Sequence, residues 1–167
     1  MNSRFASEPF ANKRARVLVA DGNADDLFFV KRALSKAGLL TQSTFAQDVA
    51  QLTQYLLAAT HPDQPGKPRL PRLLLLDPIK LSLIGFDILR WLRSQTLLRQ
   101  IPIVVFTGLE DPRTRDRAFA LGVKRYLIKG SNVLEWSELF LELVTEFGLS
   151  PEPSASSPKF ESCLHAA

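Results

Sequence analysis

The sequence predicts an α/β domain in which a parallel sheet of five strands is wound on both faces by five helices. Three observations predict it. Four short apolar runs, Val17–Ala20, Leu73–Leu76, Ile103–Phe106 and Tyr126–Ile128, are continuous and rich in branched residues, as strands covered on both faces are. Helical patterns separate the runs, so strand and helix alternate along the chain. Each run also ends on a residue with chemistry of its own: Asp21, Asp77, Thr107 and Lys129. Ligands of an open parallel sheet gather beyond the carboxyl ends of its strands, near the point where strand order reverses. Two carboxylates, a hydroxyl and an ammonium are therefore expected to meet at one edge.

Each element has its own warrant. Residues 1–14 read as a disordered arm, 15–148 as the domain and 149–167 as a disordered Pro/Ser tail. The first strand spans about 16–20, and a helix follows from about Asp25 to Ala37, with Leu27, Val30, Leu34 and Ala37 on one face and Gly38 as its stop. The alternation at Thr41–Ala46 marks a second strand. Asp48 caps a helix over about 48–59, whose stripe is Val49, Leu52 and Leu56. Residues 61–72 hold four prolines and a glycine, a loop longer than usual. The third strand leads through a loop to Gly85 and a helix over about 86–98, then to a strand at 102–107. Asp111-Pro112 opens the fourth helix, acid at the cap and proline in the first turn, and Gly122 closes it. A strand at 124–128 precedes the last helix, about 132–147, with Trp136, Leu139, Phe140, Leu143 and Phe147 inward and Gly148 as its stop.

Composition narrows the function. The chain has 167 residues, 46% hydrophobic and 23% charged, values of a globular protein with a real core. One cysteine, Cys163, excludes an internal disulfide and a cysteine-built zinc site. The first 16 residues lack the apolar core of a secretory signal, and no stretch reaches the roughly 18 apolar residues of a membrane span, so a cytoplasmic location is expected. The net charge of +4 is spread over helices that also carry Glu110, Asp111 and Asp116, unlike the basic stripe of a nucleic-acid binder. His61 and His165 fall in the loop and the tail, where neither reads as a phospho-histidine or a ligand. No Gly-x-Gly-x-x-Gly or Walker pattern supports a nucleotide or flavin site.

Acidic residues at such an edge can hold a hard cation, and a carboxylate beside it can act as a nucleophile toward a phosphoryl group. The ordered segments Val17-Leu18-Val19-Ala20-Asp21-Gly22-Asn23-Ala24-Asp25-Asp26, Leu74-Leu75-Leu76-Asp77 with Gly85-Phe86, Ile101–Gly108 and Ala120–Lys129 together resemble the receiver domain of two-component response regulators, over about residues 15–147. The Pro-containing insert before the third strand is similar to the single-domain regulators that partner bacterial phytochromes. The resemblance implies a flavodoxin-like sheet of order 2-1-3-4-5. It implies that Asp77 is the phospho-acceptor, with Lys129 pairing with the phosphoryl group and Thr107 hydrogen-bonding it. Tyr126 is the aromatic switch that follows Thr107. Asp21, Asp77 and the backbone carbonyl of Ile79 are the implied protein ligands of Mg²⁺.

The chain departs from the family at four places. Gly22 stands where the second acid, normally a direct metal ligand, belongs, so weak Mg²⁺ binding is expected. Asp25 and Asp26 lie in the first helical turn, where exposed charges favourable to the helix dipole are expected. Pro78 directly follows Asp77, Leu81 replaces a proline, and Gly130 replaces the proline after Lys129. The first functional reading is a phosphorelay receiver, served by a sensor histidine kinase or phosphotransfer protein such as a bacterial phytochrome. Its output is protein contact, and its own chemistry is limited to self-phosphorylation and slow autodephosphorylation. The alternative is a degenerate receiver that binds a protein partner without phosphorylation. Leu141, Val133 and Leu134 further suggest a homodimer through the fourth helix, fifth strand and last helix.

Overall fold

Five parallel strands lie in the order β2-β1-β3-β4-β5, as the resemblance implies. The structure, a computed structural model, describes residues 16–61, 63, 65–81 and 86–149. The arm at 1–14, Gly85, most of the tail and Cys163 fall outside the described residues. The elements are β1 (Val17–Ala20), α1 (Ala24–Lys36), β2 (Ser43–Ala46), α2 (Val49–Ala59), β3 (Leu73–Leu76), α3 (Pro78–Leu81), α4 (Asp87–Ser94), β4 (Ile103–Thr107), α5 (Pro112–Ala120), β5 (Arg125–Ile128) and α6 (Val133–Glu146).

The strands divide two cores between them because side chains of a strand alternate between faces. Val17, Val19, Leu73, Leu75, Val104 and Phe106 face α1 and α6, where they meet Leu27, Val30, Leu34, Trp136, Phe140 and Leu143. Leu18, Ala20, Leu74, Leu76, Ile103 and Val105 face α2, α4 and α5, against Leu52, Tyr55, Leu56, Leu89, Leu92 and Ala118. Phe106 stacks edge-on to Trp136 at 4.9 Å between ring centres and to Phe140 at 5.4 Å. Both faces being buried is why these strands read as unbroken apolar runs.

Among the described residues there are six helices where the sequence suggested five. The additional one, α3, starts directly after β3: Leu81 donates its backbone N–H to the Asp77 carbonyl at 3.1 Å. Asp77-Pro78 is the same acid-proline opening that Asp111-Pro112 uses for α5. The helix expected over 86–98 ends at Ser94, because Gln95 turns extended (ψ 124°), and a separate 3₁₀ turn follows at Leu98–Gln100. A second 3₁₀ turn, Leu40–Gln42, occupies the start of the segment expected as strand 41–46.

Three helices end the same way. After α1, α5 and α6, a glycine takes φ of 70°, 81° and 59° at Gly38, Gly122 and Gly148, a conformation other residues adopt at a cost. The next residue donates its N–H back into the last turn: Leu39 to Leu34, Val123 to Ala118 and Leu149 to Val144. All three of those residues are buried. The tail expected from residue 149 thus begins with a residue held by the fold. Leu149, only 2% exposed, closes the lower core beneath α6. Arg93 ties the same end of the sheet together, donating to the carbonyls of Arg99, Ile101, Leu121 and Gly122.

Candidate functional site

Strand register carries the expected residues to one edge. Ala20 pairs with Leu76, so Asp21 and Asp77 emerge side by side beyond β1 and β3, the point where strand order reverses. Thr107 pairs with Ile128, which sets Lys129 one residue beyond the neighbouring strand end. The Lys129 ammonium, on a side chain only 6% exposed, lies 2.9 Å from Asp77 Oδ2 and also contacts Asp21 Oδ2. Its inner flank is the Phe106 ring, 5.6 Å to the centre.

A third carboxylate joins them. Asp26 Oδ2 lies 2.9 Å from Lys129 Nζ, and one carboxylate oxygen from each of Asp21, Asp26 and Asp77 falls within 4.8 Å of the others. The expectation of a merely exposed, dipole-facing Asp26 is corrected. Asn23 caps α1 by accepting from the N–H groups of Asp25 (2.9 Å) and Asp26 (3.2 Å). That cap makes Asp26 the third helical residue, whose side chain leans back toward the helix start and hence over the strand ends. Asp25 is exposed.

The two central carboxylates are held by backbone as well. Asp21 Oδ1 accepts from Asn23 N at 2.8 Å. Asp77 Oδ1 accepts from Ile79 N at 3.0 Å and Lys80 N at 3.1 Å, so Asp77 caps α3. It is therefore the N–H of Ile79 that faces Asp77. Ile79 itself lies in α3, the short helix that this cap opens. Gly22 has a tertiary cause. A Cβ there would sit 2.1 Å from the Lys80 carbonyl oxygen and 3.0 Å from its carbon, so α3 leaves no room for a side chain.

Charge follows from this geometry. Three carboxylates face one ammonium, −3 + 1 = −2, in a mostly buried site. Burial pushes the Asp21 carboxyl above its usual range, opposed by its hydrogen bond to Lys129 and raised further by Asp77. Burial alone would depress the Lys129 ammonium, but the charge of Asp77 and the bonds to Asp21 and Asp77 win and hold it above its ordinary value. Hard oxygen donors with two uncompensated negative charges fit a divalent cation such as Mg²⁺.

Thr107 and Tyr126 meet through a shared neighbour. Leu109 donates its N–H to Thr107 Oγ1 at 3.3 Å and accepts from the Tyr126 hydroxyl at 2.8 Å. The Arg115 guanidinium lies over the Tyr126 ring at 5.9 Å. Gly130 accepts the Trp136 indole N–H on its carbonyl at 3.1 Å, anchoring the chain just past Lys129. On the suspected dimer face, Leu134 and Leu141 are exposed, whereas Val133 packs against the core. Arg125 on that face is occupied by Glu142 and Glu146.

No family model matches the chain. Among curated proteins it is similar to the probable methanogenesis regulatory protein FilR2 of Methanothrix harundinacea, 30% identical over 113 residues, 68% of this chain and 70% of that one. Among solved structures it is similar to the phosphorylated cyanobacterial phytochrome response regulator RcpA (TM-score 0.67, 18% identity, 81% of this chain and 95% of that one). It is also similar to the Mn²⁺-bound form of response regulator Rcp1 (0.64, 20%, 83% and 98%). The bacteriophytochrome response regulator RtBRR matches at 0.64 with 25% identity, over 86% of this chain and 83% of that one.

Proposed function

Because the chain belongs to the response-regulator receiver family of two-component signalling, we propose that its Asp77 accepts a phosphoryl group from a phospho-histidine. One observation carries this reading. Asp77 Oδ1 is occupied by two backbone N–H groups while Oδ2 is turned toward the Lys129 ammonium. Oδ2 is thus the nucleophile. It forms the new O–P bond as the P–N bond of the donor breaks, and the departing imidazole takes up a proton. Oδ1 becomes the carbonyl oxygen of the acyl phosphate and keeps the Ile79 and Lys80 N–H bonds. Lys129 shifts from Asp77 Oδ2 to the phosphoryl oxygens, which carry more charge. A divalent cation held by Asp21 and Asp77 supplies further neutralisation of phosphoryl charge when bound.

Output follows from Leu109. A Thr107 hydroxyl drawn to the phosphoryl group gives up the Leu109 N–H, and Leu109 also holds the Tyr126 hydroxyl, so both move together. The face of α5, β5 and α6 then changes, a local charge event biasing a two-state element. The donor in this reading is a cytoplasmic sensor histidine kinase or histidine phosphotransfer protein. The phytochrome-associated relatives make a phytochrome kinase the first to try. The exposed Leu134 and Leu141 suit a homodimer on that face. The degenerate alternative is favoured by Gly22, which removes one of the family's metal donors.

Intact mass after incubation with acetyl phosphate, with and without Mg²⁺, separates the two. Phosphoryl transfer predicts a gain of one phosphoryl group that Mg²⁺ promotes and Asp77→Asn abolishes. No gain at high Mg²⁺ leaves the phosphorylation-independent module.

A further inference from the structure

We infer that Asp26 does the work of the second acid in this chain, holding a divalent cation beside Asp77 in place of a residue at position 22. The inference rests on the receiver reading above and concerns which side chain completes its pocket. Position 22 is closed: its missing Cβ would meet the Lys80 backbone at 2.1 Å, and that backbone belongs to the same turn that caps Asp77. Neither can move without disturbing the acceptor.

Asp26 supplies what position 22 lacks. It lies four residues on, about one helical turn. The Asn23 cap and the tilt of helical side chains toward the helix start bring its carboxylate over the strand ends. Its Oδ2 and Asp77 Oδ2 are each 2.9 Å from the same ammonium, so both already face one cationic centre. One carboxylate oxygen from each of Asp21, Asp26 and Asp77 lies within 4.8 Å of the other two. A cation with ligand distances of about 2.0–2.6 Å can bridge oxygens at such spacing. Asp25, equally acidic and one residue earlier, is exposed and sends only its N–H to the cap. Charge alone therefore does not distinguish Asp26; placement does.

The test is calorimetric titration of Mn²⁺ and of Mg²⁺ into the full chain and its variants, with circular dichroism to certify the fold. Asp26→Asn is expected to weaken binding about tenfold or more, since charge count sets the affinity of oxygen sites. Asp25→Asn is expected to stay within about twofold. Asp26→Glu, which keeps the carboxylate, is expected to fall between and serves if the asparagine variant fails to fold. Asp26→Asn binding like wild type, while Asp77→Asn loses the metal, overturns the inference and leaves the receiver reading standing. Equal weak binding by wild type and Asp77→Asn overturns the pocket reading itself, and the role of Asp26 with it.

Discussion

Replacing Lys129 with methionine removes the cation that three carboxylates share and keeps most of the side chain's volume. At an effective dielectric of about 20, a contact near 3–4 Å is worth roughly 4–6 kcal/mol. Lys129 makes three such contacts, but desolvating the ammonium takes back several kcal/mol. Breaking one buried pair typically costs about 3–5 kcal/mol. Here the survivors also repel one another, so the upper end, about 5 kcal/mol, is expected. That is a third or more of the stability of an ordinary domain. Urea unfolding at neutral pH and low salt, followed by fluorescence of the buried Trp136, measures it. Added Mg²⁺ should recover more stability in Lys129→Met than in wild type, and a second change, Asp77→Asn, should recover at least about 1 kcal/mol. A loss below about 1 kcal/mol with an unchanged m-value would refute the charge accounting, since the acids would then be well solvated.

Three further outcomes follow from the same site and frame. Asp21→Asn should raise the melting temperature at pH 7, because the folded pKa of Asp21 lies above its ordinary value and burying the ionised form opposes folding. The advantage should shrink as pH falls through that raised value and vanish only below 3.8, where wild-type Asp21 is protonated in both states; an advantage independent of pH argues against it. Gly22→Ala should cost about 1–3 kcal/mol in chemical unfolding through its clash with Lys80, and a neutral result would mean that α3 is free to shift. Leu149→Ala should cost about 2–5 kcal/mol by calorimetry, as for a buried leucine and unlike a tail residue.

Much of the frame could be read from residues because the signals are local. Apolar runs marked the strands, Gly38, Gly122 and Gly148 the stops, and acid-then-strand-end the Asp21 and Asp77 edge. What escaped falls into two kinds. Some of it was local but read for one purpose only. Asp77-Pro78 carries the same opening signal as Asp111-Pro112, and the acceptor role of Asp77 does not by itself imply the cap. Asn23 with Asp26 at the third helical position marks a side chain leaning back toward the strands, a signal that the helix-dipole reading of Asp25 and Asp26 leaves unused. The rest is tertiary. Nothing near Gly22 in the chain announces that the Lys80 carbonyl will press on it. Nor does Arg93 announce that it will reach the Leu121 and Gly122 carbonyls of a distant turn. Long-range contacts of that kind leave no period or motif to read.

The repeated glycine endings have a practical consequence for anyone handling this protein. Each ties the exit of a helix to a buried apolar residue, so one amino acid inserted after Gly38, Gly122 or Gly148 would pull an anchor out of the core. The turns at that end of the sheet are intolerant of cargo. Asp63, Pro65, Gly66 and Lys67, by contrast, are exposed, ahead of the buried Pro68 and the Arg69 carbonyl that receives the Tyr55 hydroxyl. A fluorophore or affinity handle belongs there, on the long connection, at the end of the sheet opposite the carboxylates, where it leaves the frame that holds them undisturbed.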